Sequence, residues 1–238
     1  SQMDDIPQIT FPIKKAINTS DLTDGTYDFF STDVLTIGRL IHELRTEQGL
    51  SQTILCQGLC SKSKLSKIEN ESLQPDIFLT EALLQRLGIS ERGFTFWGSE
   101  RESRLYELKF KLTHTRLLTN EQIENYLHQF HSLITKKDTT LMQRYTFDCN
   151  LLLSSPEECI QSLHTALAYT LPDFDIRFIY NYHLSHSELS ILNNIGFQYR
   201  NIDGNKSNLY FAKLLDYLSV HSLDILFINS IFPLTLYK

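Results

Sequence analysis

Between Ser61 and Ile68 the chain carries three lysines and no acid, in the order S-K-S-K-L-S-K-I. With Leu65 and Ile68 turned inward on a helix, Lys62, Ser63, Ser66 and Lys67 are left facing out. Ammonium groups neutralise phosphates, and hydroxyls pair with donors or acceptors on base edges, so this face has the chemistry of a double-stranded DNA surface reader. A lysine-bearing helix face is more often only a solvated face. Its position within the surrounding residues separates the two readings.

Such a face needs short helices with fixed punctuation around it. Ile37, Leu40, Ile41 and Leu44 follow the single-face spacing of an amphipathic helix. Gly49 ends that helix by taking a left-handed conformation. Ser51 and Gln52 cap and open a second helix over 52–58, and Ser61 caps a third over 62–70. Two short helices around a turn, the second with a polar and cationic face, make a helix-turn-helix. Leu40, Ile41, Leu44, Leu55, Leu59, Leu65, Ile68, Leu83, Leu84 and Leu87 are its expected core.

Leu44-Arg45, Gly49-Leu50-Ser51-Gln52, Leu55-Cys56 and Leu65-Ser66-x-Ile68-Glu69-Asn70 keep many fixed offsets over some fifty residues. On these residues the stretch resembles the lambda-repressor-like (XRE-type) DNA-binding domain. The resemblance implies that Gln52 and Asn70 hold DNA phosphates and that the third helix enters the major groove. Lys62, Ser63 and Lys67 would then meet base edges, with Ser61, Lys64 and Ser66 nearby. It also implies an ion bridge from Arg45 to Glu69 that locks the first helix to the third. The family usually carries Gly after the Asn, whereas this chain has Glu71, a carboxylate beside the phosphate path.

The net charge of −6 over 238 residues argues against a general polyanion binder, but it is unevenly spread. Residues 1–35 carry −4, residues 36–89 are neutral and the remainder carries −2. A single half-site should therefore bind weakly, and a homodimer on a double-stranded operator is expected. Cys56, Cys60, Cys149 and Cys159 show no C-x-x-C and no zinc spacing. Cys56 reads as a small buried hydrophobe, with a Cys56–Cys60 redox switch as the minority reading. His183 and His186 lack a carboxylate or Cys at matching spacing, so no metal or other cofactor is expected. With no signal peptide or long apolar run, the expectation is a cytoplasmic protein without a membrane partner. No phosphate loop, dinucleotide fingerprint, H-E-x-x-H or G-x-S-x-G occurs, so an enzyme is not expected.

The expected organisation is an acidic extension over 1–33, the DNA-binding domain over 34–90 and a helical-repeat domain over 91–238. The 26–30 stretch reads as a short strand or aromatic hook, and Phe94, Phe96 and Trp97 as a packing hinge. Thr119-x-x-Gln122, Ser155-Pro156-x-Glu158 and Ser185-x-x-Glu188 are capping signals that open successive helices. Leu192-x-x-Ile195-Gly196-x-x-Tyr199 fits half of the tetratricopeptide pattern, and Gly196 would let a paired helix approach closely. The fold class is therefore all-α: a five-helix lambda-repressor-like domain followed by an α-solenoid of tetratricopeptide-like hairpins.

That order of parts, with the segments 81–90 and 187–204, resembles the Rgg/PlcR/PrgX class of peptide-pheromone receptors. The resemblance implies a concave groove where Asn side chains pair with a short peptide's backbone. Asn193 and Asn194 are the candidates, followed by Asn150, Asn181, Asn229 and Tyr145. The class usually runs longer, so the apolar stretch 223–237 reads as the start of another repeat, in a truncated chain or covered by a dimer partner. The expected function is a peptide-controlled transcription regulator of the quorum-sensing kind. The alternative is a helix-turn-helix repressor whose helical part only dimerises or docks a protein.

Overall fold

The computed structural model describes residues 36–89, 99–115 and 118–220. The acidic extension, Phe94, Phe96, Trp97, Asn229 and the 223–237 stretch lie outside those residues. The described residues are helical throughout, in ten α-helices and short 3-10 segments with no strand.

The first four are α1 (Ile37–Glu47), α2 (Gln52–Cys56), α3 (Lys62–Glu69) and α4 (Ile77–Arg86). Thr36, Ser51, Ser61 and Asp76 each accept a bond from a first-turn amide, satisfying donors that a helix start leaves open. Gly49 has φ +67, and Leu50 N closes the end of α1 onto Arg45 O at 3.0 Å. Leu40, Ile41, Leu55, Cys56, Leu59, Leu65, Ile68, Leu83, Leu84 and Leu87 are buried together, while Leu44 packs from the edge. The crossing of α1 and α3 is so close that a Cβ on Gly38 would stand 2.0 Å from Ile68 O. Helix α2 stops at Cys56 rather than reaching 58, because Gln57 turns to an extended ψ of 122 and Gly58 takes φ +71.

Helix α4 is buried nearly all round and serves as a pivot. Leu79, Ala82 and Leu83 fill the helix-turn-helix core, whereas Ile77 and Phe78 enter a second core with α5 (Glu100–Thr113), α6 (Asn120–Ser132) and α7 (Thr139–Cys149). The described residues 36–89 thus hold four helices where five were expected, and α5 packs with α6 and α7 in the second core. A third core joins α8 (Pro156–Ala168), α9 (His186–Tyr199) and α10 (Gly204–Val220).

Thr119–Gln122 and Ser185–Glu188 form complete capping boxes. At Ser155 the box is incomplete: Ser155 Oγ accepts from Glu158 N but donates to Glu157 Oε2 at 2.9 Å. Gly196 lets α9 and α10 touch, since a Cβ there would meet Tyr210 Cβ at 3.1 Å. Ser207 Oγ then reaches Gly196 O at 2.9 Å. Among the described residues no helix is long and apolar enough to cross a membrane.

Candidate nucleic-acid interface and ligand groove

Helix α3 turns Leu65, Ile68 and Glu69 inward and leaves Ser61, Lys62, Ser63 and Lys67 exposed, with Lys64 and Ser66 half-buried. Asn70 is exposed at its C-cap. Seven of the eight residues expected to meet DNA therefore lie on α3 and its two caps. The eighth, Gln52, stands beside them but is engaged: its Nε2 donates to Glu69 Oε2 at 2.7 Å.

Glu69 is the hub under this face. Arg45 Nε and Nη2 donate to its two oxygens at 2.6 and 2.9 Å, and Arg45 Nη1 donates to Leu50 O at 2.7 Å. His42 Nδ1 lies 3.2 Å from Glu69 Oε2. Burial alone would raise the Glu69 carboxyl, but the bonds from Arg45, Gln52 and His42 outweigh it and hold it below its ordinary value. The fork fixes the angle between α1 and α3, so the lysine face is held from behind.

Glu71 sits at φ +59, a left-handed conformation that glycine adopts without strain. Thr36 Oγ1 donates to its Oε1 at 2.5 Å, which draws the carboxylate toward the start of α1. Burial pushes the Cys56 thiol up and the Cys60 thiol to about 11, and such protonated thiols are poor nucleophiles for disulfide exchange.

The second site is a groove of about 500 Å³ between the end of α5, helix α7, the 3-10 turn Asn150–Leu152 and helix α9. It falls within the size of small-ligand sites. Leu112, Phe147, Leu151, Ile191 and Phe197 give it apolar walls, and Gln143, Arg144, Asp148, Asn150, Asn193 and Asn194 give it polar ones. Asn150 Nδ2 is used internally on Thr146 O, Phe147 O and Ser162 Oγ, leaving its buried Oδ1 with no partner among the described residues. Asn194 Nδ2 donates to Ser190 O at 2.8 Å. Arg144 Nε donates to Asp148 Oδ2 at 2.7 Å; burial raises the Asp148 carboxyl against the pull of that guanidinium.

Asn181 does not join this set. It is exposed at the end of the 3-10 segment Ile176–Asn181, which turns Ile176 and Ile179 into the core and packs on α10, away from the groove. Tyr145 stacks on Phe130 at 6.5 Å and 9° instead of lining the groove. Among the described residues no group of three or more His, Cys, Asp or Glu is arranged to hold a metal ion.

A buried polar network went unforeseen in the sequence. Arg86 on α4 and Glu188 on α9 pair at 2.6 Å with side chains 1 % and 0 % exposed. The one signal for it was an arginine between Leu83-Leu84 and Leu87 in the run IFLTEALLQRLG.

No family model matches the chain, and no curated protein matches it. Among solved structures it is similar to the crystal structure of Bacillus thuringiensis PlcR in complex with the peptide PapR7 and DNA. That likeness has a TM-score of 0.41 at 20% sequence identity and covers 82% of this chain and 69% of that one.

Proposed function

We propose that this chain is a sequence-specific DNA-binding regulator of transcription, acting as a homodimer and controlled by a short peptide in the groove. Residues 34–90 are the DNA-binding part and 91–238 the sensing and dimerising part. One observation carries this reading: a helix-turn-helix braced by Arg45 and Glu69 presents Lys62, Ser63 and Lys67 to solvent on one helix face. Asn70 and the second Nε2–H of Gln52 then donate to phosphates, while the lysines and serines of α3 choose bases.

The groove supports the ligand half of the proposal. Asn194 spends an amide N–H on Ser190 O, so its oxygen is the acceptor left for a peptide's backbone N–H, while Asn150 holds the end of α7 from within and keeps its Oδ1 buried. Asn193 extends the same wall.

Selection from a random duplex library, followed by anisotropy titration of the enriched sequence, tests the DNA reading. An enriched motif bound with steep salt dependence supports it; the absence of any enriched motif overturns it. For the ligand, short synthetic peptides are screened by thermal shift. A true hit raises Tm in the wild type, and Asn194→Ala cancels the rise.

A further inference from the structure

The groove and the helix-turn-helix are joined by a continuous line of buried hydrogen bonds. Gln143, which lines the groove, donates from Nε2 to Thr170 Oγ1 at 2.6 Å. Thr170 Oγ1 donates to Glu188 Oε1 at 2.6 Å, and Arg86 Nη2 donates to the same oxygen at 2.6 Å. Arg86 Nη1 then donates to Leu55 O at 3.1 Å, in the last turn of α2, and to Gln57 O at 2.6 Å, in the residue just past its end. Glu188 also accepts Ser185 N at 2.6 Å, closing the cap of the helix that carries Asn193 and Asn194.

We propose that Arg86 and Glu188 form a positioning relay, through which occupation of the groove resets the α2–turn–α3 unit. Mere attachment of the two parts would not call for these residues, because a well-packed apolar pair holds surfaces together at least as firmly as a buried ion pair. What the pair adds is direction. The planar guanidinium spans three fixed acceptors, so a small shift of the first turn of α9 is passed on to the end of α2.

A second contact leaves the joint little slack. Gly58, in the turn between α2 and α3, lies against the backbone of Thr170, the residue whose hydroxyl stands mid-relay. Thr139 Oγ1 adds a bond to Leu59 O at 3.3 Å. The turn that sets α3 therefore rests on the same loop that senses Gln143 and Glu188. Close-packed surfaces of this kind transmit displacement rather than absorb it.

The proposal rests on the groove being where a ligand binds, but its test does not need that ligand. Ser190→Trp places a bulky side chain in the groove of the 238-residue chain and is the probe. Hydrogen exchange of the amides of residues 52–60 is the readout. In the wild-type background the probe is expected to change their exchange rates roughly two- to thirtyfold, the range of a coupling of this kind. In an Arg86→Met/Glu188→Met background, with the apolar joint kept, the change is expected to vanish. Thr170→Val, which cuts only the hydroxyl link, is the second background and is expected to weaken the change without moving the Arg86–Glu188 pair. An equal change in all backgrounds, or none in the wild type, overturns the relay. Failure of every peptide to raise Tm bears on the ligand and leaves this outcome untouched, so the two readings fail separately.

Discussion

Gly58 and Thr170 touch so closely that a Cβ added to Gly58 would stand 1.8 Å from the Thr170 carbonyl oxygen. Backbone on both sides of that contact cannot move aside, and Gly58 also holds φ +71. Gly58→Ala is therefore expected to cost about 3 kcal/mol or more, adding left-handed strain to overpacking. Gly49→Ala is the control: φ +67 but nothing within 4 Å, so strain alone, about 1 kcal/mol, should remain. Urea unfolding of both variants checks the difference. Equal losses would mean that the turn is not seated on Thr170.

The Arg86–Glu188 pair gives an asymmetric mutational pattern. Arg86→Met or Glu188→Met alone strands a charge that is 0–1 % exposed, and each is expected to cost about 3–5 kcal/mol. The double variant should recover most of that loss, since no lone charge remains buried. Additive losses in the double-mutant cycle would contradict the pairing.

Stability should also fall in acid in a defined window. Glu188 is desolvated, yet Arg86, Thr170 and Ser185 hold its carboxyl below the ordinary 4.5, as Arg45, Gln52 and His42 do for Glu69. The unfolded chain then binds more protons than the folded one, so this stabilisation is complete above about pH 4.5 and drains as the pH falls through the lowered folded values. Urea midpoints taken from about pH 7 to about pH 3 should drop below that point, with a shallower drop in Glu188→Gln. A flat profile in the wild type would contradict the lowered carboxyls.

Much of this was legible before the structure. The caps at Ser51, Ser61, Thr119 and Ser185 stood out because capping chemistry is local. Gly196 stood out because a small residue at a repeat position marks close approach. The helix end at Cys56 was not legible, since a contact with Thr170, more than a hundred residues away, sets the turn. Arg86 and Glu188 were hidden for the same reason: Glu188 read only as a capping residue, and nothing local says that its second duty lies on α4. Asn150 and Asn194 met in one groove while Asn181 turned away, a distinction made by the path of the 3-10 segment rather than by residue type.

Glu71 offers a gain-of-binding prediction. Its φ of +59 costs a non-glycine residue about 1 kcal/mol. Its hydrogen bond from Thr36 returns a similar amount, so Glu71→Gly should leave stability nearly unchanged. Removing an anion from beside α3 should nonetheless tighten DNA binding several-fold at low salt and less at high salt. Unchanged affinity at every salt concentration would place Glu71 away from the phosphate path.

The most direct test of the central claim compares two lysine pairs on the same selected duplex. Lys62→Ala/Lys67→Ala removes cations from the exposed face of α3, and Lys136→Ala/Lys137→Ala removes two from the loop before α7. Anisotropy is followed across a salt series with the selected and a scrambled duplex. The α3 pair is expected to lose affinity, salt slope and preference together, while the loop pair behaves as wild type. Equal behaviour of the two variants, with preference intact, would mean that α3 does not read DNA.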